Sequence, residues 1–527
     1  MELPSIPVPL NDFISYLDKN SRDEVLTGSV MAPFKAYKYK LCEVFAQEPD
    51  NKILEDPHLN VLPVYNGQAE RLKVKARDLL NESPADAEKD ILPLIHRALK
   101  GNGGPAIVPT FDQFMDNFRL LSELSLVDMD WSNVVVSGSA VTTCLLPVPD
   151  KCSSSRKAQR EYYHEKIAPS SGVDLFLYGL NEEQAIEKIK QIETCVRNSI
   201  LEEVSVIRSK DALTIVSKYP VRHVQIVLRL YKSVSEILTG FDVDCACTES
   251  DGSQVWASPR AIAAFATQTN SMDLTRRSPS YENRLAKYAH RGFEVHWPAL
   301  DRSKIDPTIF ERSFNHIVGL ARLIVTEKFP TQAGREKYIE QRRAARDRPL
   351  PAGGKIYYRN RANLKEVQPE DVAEWVEQED VSNYHTFTIP YGPKYTSKKI
   401  EKLIYKKDLL LNAEWNKPKD RSVDLHRHPA FFGSVEHVID DCCGFCPVPL
   451  TDEEKDISEQ EGKKYVSGKV QFMKNDPGRQ AIGSFNPITD SDWTEFAYVN
   501  DTESLCKAIV EGYIAHVQKC CTQETSM

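Results

Sequence analysis

The stretch between residues 131 and 180 constrains the fold more than any other part of the chain. Val134-Val135-Val136 is an apolar run of the kind that forms a short buried strand, and it breaks at Ser137-Gly138-Ser139. A helix is expected over 140–146. A polar insertion rich in Ser, Lys and Arg occupies 147–171. The chain then turns apolar again at Gly172-Val173-Asp174-Leu175-Phe176-Leu177. That run reads as a strand covered on both faces. A Gly-Ser turn between a strand and a helix can offer backbone N–H groups and a hydroxyl to a phosphate. An acid on the next strand can hold the cation that phosphates need.

The pattern continues in register. Asn181-Glu182-Glu183-Gln184 has the spacing of a capping box. Behind it Ile186, Ile189, Ile192, Val196 and Ile200 share one helical face. Strands are expected at 204–208, 213–217 and 224–231, with a short helix at 234–238. Residues 241–248 read as a strand with Asp242 and Asp244 on one face, since side chains two apart on a strand point the same way. Asp251-Gly252 is a hairpin signal, with a return strand at 254–257. Strand, helix, strand, helix and then several strands suit an α+β domain, a mixed sheet with helices on one side.

A chain of 527 residues is too long for one ordinary core. Its expected division is an N-terminal helical region (1–120, with helices at 12–18, 69–80 and 85–99), the α+β core (121–300), a helical and charged region (301–425) and a small C-terminal α/β unit (426–527). Within the third of these, basic residues outnumber acidic ones over 335–421. The net charge of −9 argues against a body coated by nucleic acid, though it allows a local basic patch. The start Met1-Glu2-Leu3-Pro4-Ser5 lacks a basic, apolar leader, and no run reaches the ~18–20 apolar residues that span a bilayer, so no membrane partner is expected. Twelve scattered cysteines, several inside apolar segments (Cys144, Cys245, Cys247), fit free thiols in a reducing cytoplasmic or nuclear setting.

The Gly-Ser turn followed by an acidic strand resembles the polymerase-β-like nucleotidyltransferases. Their pattern is a Gly-Ser or Gly-Gly turn, an Asp-x-Asp strand and a third carboxylate on a later strand. The resemblance covers about 131–260, about a quarter of the chain. It implies that Gly138 and Ser139 contact a nucleoside triphosphate and that Asp174 is a catalytic, metal-binding carboxylate. Asp242 and Asp244 become candidates for the remaining catalytic and metal positions. Lys287 and Arg291, four residues apart on an expected helix, would neutralise phosphate or form a solvated face. The implied cofactor is Mg²⁺ or Mn²⁺. The implied reaction moves a nucleotidyl group onto a hydroxyl of a protein, nucleic acid or small molecule. The chain departs from the pattern at Gly172, where the first Asp belongs. In a second register Gln225 stands where the third acid belongs. The alternative is a catalytically inactive relative that keeps the fold as a binding or interaction module.

Other constellations are weaker. His426, His428, His437, Cys442, Cys443 and Cys446 are zinc-type ligands, but the spacing fits buried thiols beside a Gly/Pro turn better. Asp476-Pro477-Gly478 reads as a turn beside Arg479, and Trp493 as a core or interface anchor. Residues 394–407 mix lysines with Tyr395, Ile400, Leu403, Ile404 and Tyr405, as an amphipathic helix or a nucleic-acid patch would.

Overall fold

A computed structural model describes residues 2–26, 28–78, 81–92, 101–273, 281–311, 317, 319–329, 332–345, 389–413, 428–440, 451–453, 466, 468–475 and 478–483. The chain groups into two compact units, Met1–Met272 with Pro279–Gly483, and Asp273–Ser278 with Ser484–Met527. The expected boundaries near 120, 300 and 425 do not coincide with a boundary between these units. Of the second unit only Asp273 is described.

The first unit is a mixed α+β body. The strands are β1 (Leu62–Pro63), β2 (Asp90–Ile91), β3 (Val134–Ser137), β4 (Val173–Tyr178), β5 (Ser205–Arg208), β6 (Ala212–Val216), β7 (Val224–Tyr231), β8 (Thr248–Ser250), β9 (Val255–Ala257), β10 (Thr269–Ser271), β11 (Glu294–His296) and β12 (Phe431–Gly433). Nine form one sheet in the order β1-β9-β8-β3-β4-β7-β6-β5-β12, and β10-β11-β2 form another. In the large sheet β4 and β7 run parallel and every other pair is antiparallel. Its two edge strands come from either side of the expected core, one from residue 62 and the other from residue 431.

The sheet is apolar on both faces. Val135, Phe176 and the partly buried Trp256 line one face, covered by Val234, Ile237 and Leu238 of the helix Val234–Gly240. Val134, Val136, Leu175 and Leu177, which point the other way, are fully buried. Each buried side chain of this kind contributes about 1.5–3 kcal/mol, so the central strands are held from both sides. Between β4 and β5 runs the helix Glu182–Ser199. Asn181 caps it through the Gln184 N–H, Gln184 reaches back to the Asn181 N–H, and Ile189, Ile192 and Val196 face inward.

Three expected elements differ. The 241–248 strand is instead a loop, a tight 3-10 turn at Asp244–Ala246 and a short strand starting at Thr248. The alternating acids that imitate a strand there are held by distant arginines. The 69–80 helix survives only as the 3-10 turn Ala69–Arg71. Beyond it the backbone is extended and bonds sideways, Val74 N–H to Gly104 O at 2.8 Å and Lys75 N–H to Ala266 O at 2.7 Å. The 85–99 helix gives way to the short helix Pro84–Ala87 and then β2; residues 93–100 lie outside the described residues. No helix among the described residues is long and apolar enough to cross a membrane.

Candidate functional site

Strand β3 ends where the chain must turn sharply into the helix Ser139–Leu145. Gly138 makes that turn with φ +72° and ψ −130°, a backbone region that side chains avoid. Its N–H bonds to Thr248 O at 3.1 Å and the neighbouring Ser137 Oγ bonds to the same oxygen at 2.8 Å, so β8 fixes the start of the turn. The Phe241 ring lies 3.6 Å from where a Cβ on Gly138 would stand.

Ser139 is buried, yet its hydroxyl is heavily used. It hydrogen-bonds the Ser171 hydroxyl, and it accepts from Arg291 Nη1 at 2.9 Å. Arg291 is 5% exposed, gives Nε to Ile167 O at 3.3 Å and lies over the Tyr288 ring at 5.2 Å. Among the described residues no carboxylate lies within ion-pair reach of it. A buried guanidinium without an acid keeps most of its desolvation cost uncompensated.

Asp174 sits directly across from Ser137 on β3 and beside Gln225 on β7. It is half-buried, and among the described residues nothing hydrogen-bonds or pairs with its carboxylate. Burial pushes its pKa up, while the Lys287 charge opposes the shift. Lys287 belongs to the helix Tyr281–His290, with Arg291 immediately after it. The structure therefore brings Ser139 and Arg291 into contact beside Gly138, with Asp174 across from Ser137 and the Lys287 charge acting on Asp174 from the helix that precedes Arg291.

Asp242 and Asp244 do not join Asp174 as a carboxylate cluster. Asp242 Oδ2 is held by Arg284 Nη2. Asp244 takes Arg260 Nη1 at 3.3 Å on one oxygen and the Ser271 N–H at 2.8 Å on the other. Among the described residues no three His, Cys, Asp or Glu side chains form a group that could hold a metal ion. At position 172 a Cβ would stand 3.2 Å from His223 O, a backbone atom, so glycine fits a close approach of two strands. Among the described residues, and of the three candidate aspartates, the carboxylate that stands beside the Gly138 turn without an arginine on it is that of Asp174.

Sequence reasoning missed Arg222 and passed over Ser171. Arg222 is fully buried and donates to four main-chain carbonyls: Leu121 at 2.9 Å, Tyr163 at 2.8 Å, Ala168 at 2.7 Å and Ser171 at 2.6 Å. It ties the 147–171 insertion to the core and places Ser171 against Ser139. Glu249 was also missed. It pairs with Ser137 on the side opposite Asp174, is fully buried and, among the described residues, has no hydrogen-bond partner for either carboxyl oxygen. Burial raises its pKa well above the carboxylate range.

Of the weaker constellations, His428 Nδ1 meets Asp408 Oδ1 at 2.9 Å. His437 is in the helix Val435–Ile439. His426, Cys442, Cys443, Cys446, Asp476, Pro477 and Trp493 lie outside the described residues. Residues 394–407 fall largely in the helix Ser397–Leu411, with Ile400 and Ile404 buried.

One comparison with known proteins falls on the same core. The model of a family described as Gad2, Gabija anti-defense 2 family protein, matches residues 110–268. That span contains Gly138, Ser139, Asp174, Asp242 and Asp244, and stops before Lys287 and Arg291. The uncharacterized protein R883 of Acanthamoeba polyphaga mimivirus is 33% identical over 155 residues, 27% of this chain and 34% of that protein. The chain thus spans about a third of the length of that relative. No solved structure matches. What the comparisons establish is similarity over residues 110–268 to a family described as anti-defence, and similarity over 27% of the chain to a mimivirus protein.

Proposed function

We propose that the sheet around β3, β4 and β7, together with the 281–291 segment, is a nucleotidyltransferase-like core that binds a nucleoside triphosphate through its phosphates. We further propose that this binding serves an anti-defence role of the kind the matched family's description names. The observation that carries the nucleotide reading is Arg291. It is a buried guanidinium with no acidic partner among the described residues, and it is hydrogen-bonded to the serine of a Gly-Ser turn. A phosphate at that turn supplies the missing countercharge and accepts charge-assisted hydrogen bonds. Asp174 would hold a single Mg²⁺ or Mn²⁺ there, which would neutralise phosphate charge. Such ions are commonly bound through one or two carboxylates plus the phosphates themselves.

Nucleotidyl transfer is the second reading, favoured by the uncommitted carboxylate of Asp174. Against it stand Gly172, Gln225 and the arginine-held Asp242 and Asp244, which leave a second cation without ligands. Calorimetry with ATP and GTP, with and without Mg²⁺, tests binding. The expected result is Mg²⁺-dependent binding that Asp174→Ala abolishes; unchanged binding in that variant removes Asp174 from the site. Incubation with labelled NTPs and candidate protein, nucleic-acid and small-molecule acceptors separates the readings. Label transferred by the native chain and not by Asp174→Ala would establish the enzyme.

A further inference from the structure

The helix Ser397–Leu411 stands apart from the nucleotide site. It packs Ile400 and Ile404 against Ile207 of β5 and Val216 of β6. β5 lies three strands from β4, about 14 Å at ordinary strand spacing. With its inner face fixed in this way, the helix presents a rigid outer face.

That outer face is unusual in composition. Eight large hydrophobic residues are exposed among the described residues, and half of them are here: Leu403 at 39%, Tyr405 at 57%, Leu409 at 54% and Leu410 at 48%. Lys402, Lys406 and Leu409 follow one another at i, i+4 and i+7 along the outward centre line. Leu403 and Leu410 flank that line on one side and Tyr405 on the other. Neither Lys402 nor Lys406 takes part in an ion pair or hydrogen bond among the described residues. Apolar groups clustered so densely mark an interaction surface rather than scattered exposure.

We propose that this face docks an acidic protein partner that sets carboxylates against Lys402 and Lys406 and apolar side chains against the leucines and Tyr405. Charge complementarity selects the partner: the centre line is basic. Three of the four apolar residues are leucines, which have no ring on which a base can stack, so single-stranded nucleic acid leaves them unused. A helix lying on a lipid surface carries its apolar residues along the centre and its lysines at the borders, the reverse of this arrangement. A second copy meeting the same face would set lysine against lysine.

The test uses the full chain and a synthetic 20-residue peptide with Glu and Leu at helical spacing as the probe. The same peptide with Lys for Glu, a 20-mer oligothymidylate and phosphatidylserine vesicles serve as competing probes. The Glu/Leu peptide is expected to bind, more weakly as salt rises. Its Kd is expected to increase at least tenfold in Lys402→Glu/Lys406→Glu and, separately, in Leu409→Ser/Leu410→Ser. Melting temperature and nucleotide binding should stay at native values in both variants. The proposal is overturned if the peptide fails to bind or if both variants bind it within twofold of the native chain. Stronger binding of the oligonucleotide or the vesicles, lost in the same variants, overturns it too. So does a dimer in light scattering that the variants dissolve.

Discussion

Replacing Arg291 with methionine separates a ligand-binding arginine from a structural one. The side chain gives one hydrogen bond to Ser139 Oγ at 2.9 Å and one to Ile167 O at 3.3 Å, and it is 95% buried, from an exposure of 5%. Folding without ligand gains from those two bonds and loses by sequestering a charge that no carboxylate among the described residues offsets. Methionine forfeits both effects, so the net change in stability is small, about 1 kcal/mol in either direction. Binding carries no such cancellation. A charge-assisted hydrogen bond to phosphate contributes about 1.5–3 kcal/mol, so its loss raises Kd about 10- to 150-fold. Calorimetry with inorganic tripolyphosphate and with ATP reads this directly, and a chemical denaturation curve gives the stability. A native-like Kd together with a fall in stability of several kcal/mol would refute the reasoning, because Arg291 would then be a structural clamp only. Arg291→Lys retains the charge and is expected to recover part of the affinity.

Three further outcomes follow from neighbouring residues. Glu249 has a raised pKa in the folded chain, so the stability it contributes is present below its ordinary value of 4.5 and is lost as pH rises through the folded value. Glu249→Leu removes an unsatisfied buried carboxyl, and should raise the denaturation midpoint at pH 8 by more than at pH 4; equal changes at both values count against burial as the cause. Arg222→Met strands four carbonyls and is expected to cost about 3–5 kcal/mol, with limited proteolysis now cutting within 147–171; a stability loss under about 1 kcal/mol would show that the insertion holds itself. Gly172→Asp restores the expected acid but drives a Cβ to 3.2 Å from His223 O. Tighter Mn²⁺ binding with a lowered melting temperature is expected, and unchanged Mn²⁺ affinity refutes the register that aligns 172 with the first Asp.

Local signals carried most of what the chain disclosed in advance. Asn181 and Gln184 form the capping box that their spacing announces, because both halves of that interaction lie within one turn. Gly138 occupies a conformation that only its residue type reaches easily, so the turn was visible. The failures share a cause. Asp242 and Asp244 have strand-like spacing, but Arg284 and Arg260, each at least 16 residues away, decide where their carboxylates go. Residues 72–78 have helical apolar spacing, and main-chain bonds from Val74 to Gly104 and from Lys75 to Ala266, far along the same chain, override it. Arg222 was invisible because its partners are carbonyl oxygens, which every residue has and no sequence pattern marks. Lys287 and Arg291 were legible as a basic pair at helical spacing; that Arg291 is buried at the Gly-Ser turn, with no acidic partner among the described residues, could be seen only once the surrounding side chains were placed.

The large sheet owes both of its borders to segments remote from its centre, Leu62–Pro63 on one side and Phe431–Gly433 on the other. A fragment trimmed to the span shared with the anti-defence family, 110–268, would keep β3 to β9 and lose both borders. Its outer ribbons, β9 and β5, would carry open rows of amide and carbonyl groups ready to zip onto another chain. Such a piece is destined for clumping on purification, and work on the shared segment needs the flanking polypeptide as a selvedge.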